Sequence, residues 1–99
     1  MDDKNITING KYLEYKGRPL VREDNTICYG YMEDPYILMM TIMTTKQHHG
    51  HEVPDKVLIQ ILKTDKNLSA QEKIVKQDMK SGLSEAFDLG LIWLERLLG

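Results

Sequence analysis

Two segments of this chain carry apolar side chains on both sides of a strand, and that pattern limits the folds open to it more than any other feature. Over residues 36–45, Ile37, Met39 and Met43 fall on one face and Leu38, Met40 and Ile42 on the other. Over 57–63, Val57, Ile59 and Ile61 stand opposite Leu58 and Leu62. A strand apolar on both faces needs cover on both. The Ile and Thr content favours strand over helix, because a branched Cβ loses less freedom on a pleated surface. The polar stretch Gln47–Glu52, with Gly50 inside it, reads as the connection. The two segments therefore read as a long hairpin over 36–64, lying at the centre of a sheet.

Shorter strands precede it. Ile6 and Ile8 alternate with Thr7 and Asn9, and Asn9-Gly10 suits a type I′ turn. Tyr12–Tyr15 resumes the alternation as far as a break at Lys16-Gly17. Leu20-Val21 forms a third strand, with Pro19 at its first position or on an edge. The turn-rich Glu23-Asp24-Asn25 leads into a fourth, Thr26–Tyr29, and a loop runs from Gly30 to Pro35.

The C-terminal part is helical in pattern. Met79, Leu83, Ala86, Phe87, Gly90, Leu91, Trp93, Leu94, Leu97 and Leu98 are the apolar positions, most of them at helical spacing, which predicts an amphipathic helix over 78–98 capped by Asp78 or Ser81. Glu85 and Asp88 sit early and Arg96 late, as the helix dipole prefers. Gly82 and Gly90 share one broad face and would let a strand approach closely. Residues 64–72 read as a polar loop, and 73–75 as a short extra strand. The expected fold is α+β: one domain over 1–99, with an antiparallel β-meander of about five to six strands within 4–64 packed on one amphipathic C-terminal helix. One helix covers one sheet face. Either the first strands curl over the other face or a second copy covers it, and symmetric dimers are common enough to make self-association the leading expectation. Met40, Ile42 and Leu58 are the candidate contact residues.

Composition narrows the function. The chain has 99 residues, 41% apolar and 28% charged, which suits a single globular domain. Its net charge of −2 and pI near 5.9 argue against nucleic acid as a partner, since such proteins show a basic stripe. Cys28 stands alone, so no internal disulfide forms. The N-terminus lacks the basic and then apolar run of a signal peptide, and no apolar stretch is long enough to span a membrane, so a cytoplasmic protein with no membrane partner is expected.

Few residues carry an argument for chemistry. His48, His49 and His51 cluster beside Glu52 in the predicted hairpin loop, and imidazoles at such spacing can ligate a metal, although a solvated loop tip gives the same pattern. Arg18 and Arg22 lie four apart, on one face of an extended stretch, and would suit a phosphate or a partner's carboxylate. Cys28 has no neighbouring base or cation to activate it and reads as a small apolar residue. The five tyrosines resemble a base-stacking platform but lack the cationic groove such a platform needs. No phosphate-binding glycine loop occurs, and no serine has a nucleophile-elbow context. The expectation is a non-catalytic interaction module that needs no cofactor and pairs with itself or with another protein. The alternative is a small-ligand or metal-binding protein using the His48/His49/His51 loop or a pocket between sheet and helix. An enzyme ranks last.

Overall fold

The computed structural model describes residues 6–9 and 12–99, with side chains from residue 13 onward. Four short strands come first: β1 (Ile6–Asn9), β2 (Tyr12–Tyr15), β3 (Arg18–Glu23) and β4 (Thr26–Tyr29). The longer β5 (Tyr36–Ile42) and β8 (Lys56–Lys63) follow, with a small ribbon, β6 (Thr45–His48) and β7 (His51–Pro54), between them. A one-turn helix α1 (Ala70–Lys73), the strand β9 (Ile74–Ser81) and the helix α2 (Leu83–Leu98) complete the described chain. The main sheet is antiparallel in the order β1-β2-β3-β4-β5-β8-β9. The α+β reading holds, with the β5–β8 pair near the centre and the helix on one face. The Asn9-Gly10 turn lies outside the described residues.

Side-chain alternation divides the sheet into two faces. In register across β3, β4, β5, β8 and β9, Leu20, Tyr29, Leu38, Ile61 and Lys76 form one row beneath α2. The next row runs Arg22, Ile27, Met40, Ile59 and Asp78. Leu38, Ile59, Ile61 and Val57 lose all access to solvent, and from the helix Ala86, Phe87, Leu91 and Leu94 pack down on them. Each such side chain contributes about 1.5–3 kcal/mol on burial, so this single layer supplies most of the hydrophobic drive to fold. Tyr15, Tyr29 and Phe87 close one end of it edge to face, with ring centroids 5.2–6.0 Å apart. The Tyr29 hydroxyl donates to the Tyr15 carbonyl at 2.7 Å, which satisfies its polar end inside the core.

The long hairpin over 36–64 is interrupted. β5 stops at Ile42, and β6 and β7 leave the main sheet as a separate two-stranded ribbon before β8 begins. The junction is hydrogen-bonded on itself: Met43 N–H donates to the Lys56 carbonyl and Asp55 N–H to the Thr44 carbonyl, both at 2.8 Å.

The C-terminal helix is shorter than its apolar spacing implies. It starts at Leu83 behind Gly82, whose φ is +90° and which makes no side-chain cap, so neither Asp78 nor Ser81 caps it. Residues 78–81 belong instead to β9, an eight-residue strand that takes in Ile74 and Val75 of the strand expected at 73–75, while Lys73 ends α1. Ahead of it, within the expected polar loop, Ser69 and Glu72 form a capping box around α1: Ser69 Oγ accepts from Glu72 N–H at 3.3 Å and Glu72 Oε1 accepts from Ser69 N–H at 2.9 Å. The bond from Ser69 N–H, and after it the Ser69 hydroxyl, holds the Glu72 carboxyl below its ordinary pKa.

Candidate interaction surface

Among the described residues, no helix lies on the second sheet face. One row across it runs Val21, Cys28, Met39, Gln60 and Gln77, and the next Glu23, Thr26, Thr41, Leu58 and Met79. These side chains are half-buried by one another or exposed, with Val21 46% and Met79 44% accessible. The two glutamines are matched to each other: Gln60 Nε2 donates to Gln77 Oε1 at 3.0 Å. Apart from Glu23 at the β3 end, the two rows carry no charged side chain. Five of these ten side chains, Val21, Cys28, Met39, Leu58 and Met79, are apolar, and apolar residues gathered on an open face mark a candidate contact surface.

The register corrects the predicted contact set. Met40 and Ile42 belong to the covered face, 1% and 6% accessible beneath α2, so they are core residues and not contact residues. Leu58 does lie on the open face, beside Thr41 and Met79. Both faces of β5 are apolar, and alternation alone does not say which of them the helix takes.

At the β3–β4 corner of this face, Val21, Glu23, Asp24, Thr26 and Cys28 line an open depression of about 370 Å³. Burial, with the nearby Glu23 carboxylate, pushes the Cys28 thiol pKa up. A raised pKa suppresses the thiolate, which is the opposite of what a nucleophilic cysteine requires.

The other singled-out residues are dispersed. His49 and Gly50, with φ of +52° and +80°, form the two-residue turn of the β6–β7 ribbon, and His48 pairs with His51 across it. The His48 and His49 rings lie 4.2 Å apart, yet among the described residues no three His, Cys, Asp or Glu side chains gather as a metal-ligand set. Glu52 accepts a hydrogen bond from Thr45 Oγ1 at 2.6 Å. Arg22 is turned onto the Asp24 carbonyl at 3.1 Å, whereas Arg18 stands beside the Tyr29 hydroxyl. The two guanidinium groups are thus engaged with different partners. Tyr15 and Tyr29 are core side chains and offer no face for stacking. No helix of the described residues is long and apolar enough to cross a membrane.

Comparison of the chain with protein-family models, with curated proteins and with solved structures yields no match.

Proposed function

We propose that this protein is a non-catalytic interaction module that self-associates through the open face of its sheet. The observation that carries the reading is the register itself: Cys28, Met39 and Leu58 lie together on the face opposite α2, in the middle of the sheet, with Glu23 the one charged side chain in their two rows. The whole open face, five strands at ~4.8 Å spacing and about 20 Å long, projects roughly 500 Å², below the ~800 Å² of accessible surface each partner loses in a typical stable pair. A second copy presents the same apolar patch, so a two-fold pairing is self-complementary by symmetry.

The test is the solution mass by sedimentation equilibrium of the native protein and of Leu58→Lys, which places a charge at the centre of the face. The reading expects Leu58→Lys to halve the mass while leaving the circular dichroism spectrum unchanged. A native protein of one copy, or a mass untouched by Leu58→Lys, overturns it.

A further inference from the structure

β9 is a terminal strand of the main sheet, with β8 on one side and no described strand on the other. Its outer edge is open to solvent over almost its whole length. Such an edge offers a row of unpaired N–H and C=O groups to any extended partner. The direction of those groups can be read from one bond. Met79 N–H donates to the Asp78 carboxylate at 2.7 Å and not into β8. Alternate residues of an antiparallel strand address the same neighbour, so Gln77 and Met79 point their backbone groups outward. Lys76 and Asp78, whose register partners are Ile61 and Ile59, carry their side chains on the helix side.

We propose that the outer edge of β9 pairs antiparallel with β9 of a second copy, centred on Gln77. About that centre Lys76 faces Asp78 of the second copy, and Asp78 faces Lys76 of the second copy. One strand therefore makes two opposite-charge cross-strand contacts with itself. Val75 then faces Met79 of the second copy, which sets two exposed apolar residues against each other, 39% and 44% accessible in the single chain. Other centres fit worse. Centring on Lys76 or Asp78 places like charges opposite each other. Centring on Met79 leaves Val75 without a counterpart and sets Lys76 against Gly82, where the strand has ended. On pairing, the Asp78 carboxylate exchanges the Met79 N–H for the ammonium of Lys76, and the freed N–H enters the ladder.

This edge is separate from the open face, and the two contacts together join four copies as two stacked, doubled sheets. The proposal rests on the self-association reading only in taking a second copy as the occupant. Its test is therefore run with Leu58→Lys present throughout, so that the face contact is absent. Sedimentation of Leu58→Lys should give two copies. Adding Asp78→Lys or Lys76→Asp should give one copy each, and an equimolar mixture of those two double variants should return to two, because opposite charges face each other again. In a Cys28→Ser background, Gln77→Cys should form an intermolecular disulfide on mild oxidation and Met79→Cys should not. A native protein larger than one copy with Leu58→Lys reduced to a single copy overturns the edge contact and leaves the face contact standing. Failure of the mixture to associate, or cross-linking through Met79→Cys in place of Gln77→Cys, also overturns it. A native protein of one copy overturns both.

Discussion

Gly90 of α2 lies directly against Leu38 of β5: a Cβ on Gly90 would stand 2.5 Å from Leu38 Cδ1 and 2.8 Å from Cδ2. Leu38 has no solvent access, so its side chain would have to shift within the core to admit a Cβ there. The helix therefore sits as close to the sheet as a bare backbone allows, at the middle of the core.

Gly90→Ala should accordingly destabilise the protein, although it improves helix propensity. The propensity gain is about 1 kcal/mol, and overpacking costs ~1–3 kcal/mol. Adding Leu38→Val should recover part of the loss, a coupling that a double-mutant cycle in urea reads directly. A Gly90→Ala protein more stable than the native one would contradict the close approach.

Trp93 is 9% accessible on the same helix, with Lys76 Nζ of β9 4.8 Å from its ring centroid. Trp93→Ala should cost ~3–5 kcal/mol, a large share of what a domain of this size holds in reserve. Lys76→Ala should cost far less, about 0.5–1 kcal/mol for an exposed cation over an aromatic face. Thermal unfolding of the two variants side by side checks the ranking, and equal losses would show that Trp93 is not a core residue.

Tyr29 predicts a dependence on alkaline pH. Burial raises its pKa, and Arg18 beside the hydroxyl offsets part of the rise. A group whose pKa is higher folded than unfolded adds stability that is fully present below the unfolded value, roughly 10 for tyrosine. That contribution is lost as pH rises through the folded value. Cys28 is shifted in the same direction by burial and Glu23, so the decline begins at a lower pH, near the ordinary thiol range of about 8.5. The melting temperature should fall above that range, and Tyr29→Phe should flatten the upper part of the fall. At neutral pH the same variant should cost ~1–3 kcal/mol, because the Tyr15 carbonyl loses its buried donor. A melting profile of Tyr29→Phe parallel to the native one at every pH would contradict this account.

The sheet was legible in the sequence where alternation and turn residues agree. The breaks at Lys16-Gly17 and near Asp24 fall where the backbone takes positive φ, at Lys16, Gly17 and Asp24. The two apolar faces of β5 and β8 were also legible, and with one helix they imply an open face. Which face the helix covers was not, because that depends on how α2 returns over the sheet after β9. The start of α2 was hidden by coincidence. Met79 fits the helical spacing of Leu83, Ala86 and Phe87, yet it lies in β9 beside Leu58. The short-range signal was Gly82, a residue free to adopt the φ of +90° that separates strand from helix. The small ribbon at 45–54 leaves no periodic trace, because β6 is polar and exposed on both faces and in β7 only the adjacent Val53 and Pro54 are apolar.

The open face carries its own reporter, since Cys28 is the single cysteine of the chain and sits beside Met39 in the middle row. The most direct test of the central claim is the rate at which an aromatic disulfide reagent modifies Cys28, followed over a hundredfold range of protein concentration. If a second copy covers the face, modification should slow as concentration rises, while Leu58→Lys reacts fast throughout. A native rate that is independent of concentration and equal to that of Leu58→Lys would mean that the face is bare, and the self-association reading would fall.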